Sequence, residues 1–78
     1  MIDYKILAYL LKNGTKPHEA KSAEEIEIYL RIIRKRALQK RLVNLKEYNF
    51  VSEGLKTSRK KNYYLTDEGE EFLINKAA

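Results

Sequence analysis

The stretch Arg34-Lys35-Arg36-Ala37-Leu38-Gln39-Lys40-Arg41-Leu42-Val43-Asn44-Leu45-Lys46-Glu47-Tyr48-Asn49-Phe50-Val51 decides how the rest of this 78-residue chain reads. Leu38, Leu42 and Leu45 recur at i, i+4 and i+7, the spacing that lines one side of an α-helix. The helix they predict starts near Ile33 and runs to about Tyr48. At about 100° per residue, Arg36, Lys40, Val43 and Glu47 point away from the leucine stripe, with Lys35, Gln39 and Lys46 on one flank. The outward side is basic until its far end, where Glu47 supplies an acid. Asn49 then stands where the backbone turns left-handed, a role in which asparagine is second only to glycine.

Working outward, Ser22-Ala23-Glu24-Glu25 announces a shorter helix before this one. Ser22 can cap the open N–H groups and Glu25 can reach back as a capping box, while Glu24 and Glu25 suit the positive end of the dipole. Ile26, Tyr29 and Leu30 form its expected buried stripe. Earlier still, Ile2, Ile6, Leu7, Leu10 and Leu11 predict a helix from Ile2 to Asn13, ended by Asn13-Gly14 and kept from continuing by Pro17. Downstream, Phe50-Val51-Ser52-Glu53-Gly54 and Asn62-Tyr63-Tyr64-Leu65-Thr66 are β-branched and aromatic segments around a basic loop, which reads as a hairpin. Thr66 caps a last helix whose first turn holds Asp67, Glu68, Glu70 and Glu71, and Phe72, Leu73 and Ala77 would pack it on the body.

Charge is segregated. The chain has 16 basic and 11 acidic residues, net +5. Seven of the basic ones lie between Arg31 and Lys46 and four more between Leu55 and Lys61, and none of the 11 acids falls in either stretch. Clustered cations gain most where they displace counterions from a polyanion. Cysteine is absent and there is one histidine, so thiolate metal sites, disulfides and histidine-rich centres are excluded; no metal and no cofactor is expected. His18 reads as a surface loop residue. The carboxylates sit at helix starts, where capping explains them, and no glycine-rich phosphate loop exists. An enzyme is not expected. The longest uncharged run of the first helix, Ile6 to Leu11, is far short of the roughly 20 residues of a membrane span, and with Asp3 and Lys5 inside the first hydrophobic stretch no secretory signal is expected. One domain over residues 1–78, cytoplasmic and nucleoid-associated, is the expectation.

Helix, helix, basic helix, hairpin, helix is an order that resembles the winged helix-turn-helix superfamily of DNA-binding regulators. Ser22–Leu30 is similar to its positioning helix and Arg34–Leu45 to its recognition helix. Tyr63-Tyr64-Leu65-Thr66-Asp67-Glu68-Gly69 resembles the end of the wing in PadR-like and MarR-like regulators and in small archaeal winged-helix proteins. The implied fold is α+β: a three-helix core, a two-stranded β-hairpin wing and a short C-terminal helix. Two features depart from the pattern. The turn Arg31-Ile32-Ile33-Arg34 lacks the usual glycine and the serine or threonine cap, and neither the long dimerisation helix nor an effector domain is expected.

The resemblance implies that the basic helix enters the major groove of double-stranded DNA. Arg36, Gln39 and Lys40 would meet base edges, and Val43 either meets a thymine methyl or is a tolerated exposed valine. Arg34, Lys35 and Arg41 would neutralise phosphates. Lys21 and Ser22 could hold a further phosphate, although the favoured reading of Ser22 is a plain helix cap. Lys56, Thr57, Ser58, Arg59, Lys60 and Lys61 form the wing, on the backbone or in the minor groove, unless they are an ordinary basic loop. The first helix carries more apolar surface than a small monomer exposes, so a homodimer through Ile2, Tyr4, Leu7, Leu11, Phe72 and Leu73 is expected. The function implied is a sequence-specific transcription regulator, a repressor that occupies a promoter, without an evident small-molecule effector. The alternatives are an architectural protein that coats DNA and a winged-helix module that binds a protein.

Overall fold

Leu38, Leu42 and Leu45 do form the inner side of a helix, α3 (Lys35–Glu47), in a computed structural model that describes residues 2–31, 33–54 and 61–77. The other elements are α1 (Ile2–Asn13), a single 3-10 turn at Pro17–Glu19, β1 (Lys21–Ser22), α2 (Ala23–Leu30), β2 (Val51–Glu53), β3 (Asn62–Leu65) and α4 (Asp67–Ala77). α3 begins at Lys35 rather than near Ile33, because Arg34 is still extended and Arg31 turns left-handed at φ 59°.

The strands form one antiparallel sheet in the order β1-β3-β2. Val51 faces Leu65, Ser52 faces Tyr64 and Glu53 faces Tyr63, so β2 and β3 make the expected hairpin. On the other edge of β3, Lys21 pairs with Tyr63 and Ser22 with Asn62. The expected two-stranded wing therefore carries a third strand. Two residues are too few to display the alternation that marks a strand, so Lys21-Ser22 read only as a helix approach.

The core joins every layer. Ile6, Leu7 and Leu10 of α1 meet Ala23 and Ile26 of α2, the three leucines of α3, Val51, Tyr63 and Leu65 of the sheet, and Leu73 of α4. α1 packs against both α2 and α4. That placement corrects two of the expected dimer residues: Leu7 is fully buried and Leu73 is 4% exposed, both inside the chain's own core. Ile2, Tyr4, Leu11 and Phe72 remain half-buried at its edge. Tyr29 departs the other way. It was expected inside, yet it is 58% exposed, its ring leaning on Tyr9 with centroids 4.5 Å apart. Tyr29 lies beyond Ile26 on an eight-residue helix, at the margin of the stripe that can reach α1.

The caps form largely as read. Ser22 Oγ accepts from the Glu25 N–H at 3.3 Å. Thr66 Oγ1 accepts from the Gly69 N–H at 3.0 Å and donates to the Asn49 carbonyl at 2.5 Å, which ties the start of α4 to the end of α3. Asn49 adopts φ 64°. Its N–H donates to Lys46 O at 2.9 Å and the Phe50 N–H to Leu45 O at 3.0 Å, a Schellman closure of α3. Gly69 lets α4 approach closely, since a Cβ there would lie 2.1 Å from the Phe50 carbonyl oxygen.

Candidate nucleic-acid interface

With its leucines committed to the core, α3 presents Arg36, Gln39, Lys40, Val43 and Asn44 to solvent along one shallow concavity. Val43 is 48% exposed, a β-branched apolar side chain in the middle of a cationic face. Four of these five were expected from helical spacing; Asn44 was not. It sits four residues beyond Lys40, and only the structure shows that the concavity extends to it.

Beside this face runs a cleft of about 380 Å³ between α3, the start of α2 and β3. Gln39, Val43 and Lys35 form its α3 wall, Ser22, Ala23 and Glu24 its α2 end, and Tyr63 and Lys61 its β3 side. Ser22 and Lys21 are half-buried, since both are held in the sheet as well as leading into α2. Lys61 is the exposed base of the wing. The other wing residues, Lys56, Thr57, Ser58, Arg59 and Lys60, lie outside the described residues.

The start of α3 solves the problem that its sequence posed. Arg34 makes no side-chain cap. Instead the Lys35 N–H donates to Glu27 Oε2 at 2.5 Å, so a carboxylate from α2 caps α3 across the turn. Lys35 Nζ in turn donates to Glu24 Oε1 at 2.7 Å. A carboxylate at this end also suits the helix dipole. Sequence reasoning placed Glu24 only as a cap-region acid and assigned Glu27 nothing. The signal that could have found them is the missing cap itself, which leaves open N–H groups for another element to satisfy.

Other cations of the helix are also held from outside it. Arg41 Nη1 lies 3.7 Å from Asp3 Oδ2 of α1. Lys46 is paired with Glu53 of β2; their hydrogen bond, followed by mutual charge for the carboxyl, holds the ammonium pKa above its ordinary value and the carboxyl below its own. Burial first, and then the charge of Glu53, raises the Tyr63 phenol. Among the described residues the ion pairs take Lys35, Arg41 and Lys46, and none takes Arg34, Arg36 or Lys40. The acids thus bind the flanks of α3 and leave its outward cations to solvent. Among the described residues no group of three potential metal-ligating side chains occurs, and no helix is long and apolar enough to cross a membrane.

Three helices, a β-hairpin packed on the third, a short third strand and a closing helix make a winged-helix fold. No family model and no curated protein matches the sequence. Among solved structures, TubR from Bacillus megaterium pBM400 is similar over 96% of this chain and 81% of that chain, with a TM-score of 0.78 and 22% identity. Likeness at that identity carries the fold.

Proposed function

We propose that this protein is a sequence-specific regulator that binds double-stranded DNA, inserting α3 into the major groove. The observation that carries the reading is the distribution of ion pairs: Arg36 and Lys40, which no ion pair among the described residues takes, flank Gln39 and Val43 on one exposed helical face. Arg36 and Lys40 suit guanine O6 and N7, Gln39 suits adenine, and Val43 suits a thymine methyl. Arg34 and Lys61, with the rest of the wing, would take phosphates. A helix that only coats DNA has no need of an amide and an exposed valine between its cations, which favours base reading over an architectural role.

The regulator acts as a repressor by occupying its site, in the cytoplasm on the nucleoid, and carries out no catalysis. It works as a homodimer whose contact is drawn from Ile2, Tyr4, Leu11 and Phe72. Tyr48, 68% exposed, stacks on Phe50, which stacks on Phe72, and so extends that apolar margin. Sedimentation at micromolar concentration tests the dimer, and a monomer there would remove it.

Fluorescence anisotropy with mixed-sequence duplex DNA across a salt series tests DNA binding. Binding should weaken steeply with salt, by a slope of several phosphates per protomer. An excess of mixed-sequence competitor should then leave a selected site bound. Absence of binding at low salt would overturn the proposal and turn attention to an acidic protein partner.

A further inference from the structure

Glu24 faces the same cleft as Gln39 and Val43, which places an acid on the surface that is proposed to meet DNA. Its carboxylate lies 2.7 Å from Lys35 Nζ, with both side chains about two-fifths exposed (38% and 42%). Water and ions therefore reach the pair, and it is open to exchange. On a nucleic-acid interface a carboxylate repels phosphate and competes with it for the same ammonium. Helix capping alone does not call for this arrangement, because the α3 N–H is already satisfied by Glu27 and the α2 cap by Ser22.

Resting on the DNA-binding reading above, we propose that Glu24 guards Lys35 and so holds down the affinity of this face for duplex DNA. It occupies the Lys35 ammonium, so a phosphate entering the cleft must displace it and then sit beside a negative charge. That penalty falls on every duplex alike. It lowers every affinity by the same factor, so at a given protein concentration only a sequence that also engages Arg36, Gln39, Lys40 and Val43 stays occupied. Lys35, which sequence alone places among simple phosphate contacts, is on this account a guarded one.

The test compares the wild type with Glu24→Gln and Glu25→Gln, each bound to mixed-sequence duplex DNA over a salt series. Glu25 belongs to the same first turn of α2 but does not line the cleft, so its variant removes a charge of the same sign away from the cleft. Freeing one ammonium should raise affinity about 5- to 10-fold near 0.1 M salt and steepen the salt slope by about 0.9. Glu25→Gln should give a markedly smaller gain. The gain from Glu24→Gln should shrink markedly when Lys35→Gln is the background, since the Lys35 ammonium is then absent.

Equal gains for the two glutamate variants would overturn the proposal, as would a Glu24→Gln gain that is undiminished without Lys35. A purely structural ion pair would instead lower the melting temperature of Glu24→Gln and leave affinity and slope where they were. That outcome also overturns it, while wild-type binding would still stand. If the wild type itself binds no duplex, the DNA-binding reading fails first, a result distinct from any of these.

Discussion

The two ends of α3 are held by different means. Its C-terminal end closes on itself: Asn49 turns left-handed, Lys46 and Leu45 carbonyls receive the Asn49 and Phe50 N–H groups, and Thr66 locks the Asn49 carbonyl. Its N-terminal end closes on another helix, through a Glu27 carboxylate eight residues away in the chain. One end is closed chiefly by adjacent residues, with Thr66 added from the start of α4, and the other by the packing of α2 on α3. The end that depends on tertiary contact is the one that borders the proposed DNA face, so its acids affect ligand as well as stability.

The largest effect should come from crowding the C-terminal end. Gly69→Ala puts a methyl group 2.1 Å from the Phe50 carbonyl oxygen, so α4 must shift away. A loss of about 3 kcal/mol in urea unfolding is expected, outweighing the alanine's better helix propensity. Next comes the N-terminal end. Glu27→Ala removes a charged acceptor from the Lys35 N–H and should cost about 2 kcal/mol, with the amide exchange of Lys35 accelerated. A loss no larger than that of an exposed glutamate elsewhere would show that the borrowed cap is dispensable.

A paired substitution sharpens the contrast between the two left-handed positions. Asn49→Ala should cost about 1 kcal/mol, whereas Arg31→Gly should gain about 0.5 kcal/mol because glycine tolerates φ 59° without a Cβ penalty. Arg31 Nε does donate to Ile28 O at 3.4 Å, a long bond whose loss offsets only part of that gain.

The smallest effects should appear in the pH profile. Burial favours the neutral Tyr63 phenol, so the native state binds that proton more tightly than the unfolded chain does. Its contribution is complete below the ordinary tyrosine value of 10.0 and is lost as pH rises through the higher native one. The raised Lys46 value acts in the same direction, through its bond to Glu53. The lowered Glu53 value acts oppositely: its contribution is present above the ordinary carboxylate value of 4.5 and disappears as pH falls through the native one. The thermal unfolding temperature should therefore decline at both extremes. Tyr63→Phe should flatten the alkaline limb, and Glu53→Gln the acid limb; unchanged limbs would separate these groups from the pH response.

Much of the architecture was legible because it is local. Leu38, Leu42 and Leu45 declare the inner side of α3, Ser22 and Thr66 stand as caps, and Asn49 marks the stop. The residues misread share one feature, that neighbouring elements decide their surroundings. Leu7 looked available because α1 is apolar on more than one side, yet α2 and α4 both pack against that helix. Tyr29 looked buried because it follows Ile26 by three residues, yet it lies at the margin of its stripe. Lys21-Ser22 became a strand only because β3 offers an edge to it.

The sequence by itself determined where helices turn their apolar sides, how they stop, and that positive charge collects on α3 and the wing. Periodicity, capping and composition are properties of neighbouring residues, so they need no fold to be read. Tertiary structure decided which of those charges is available. Coulomb attraction matters between groups a few ångströms apart. Only folding brings Glu24, Asp3 and Glu53 from three different elements to Lys35, Arg41 and Lys46, and leaves Arg36 and Lys40 facing outward.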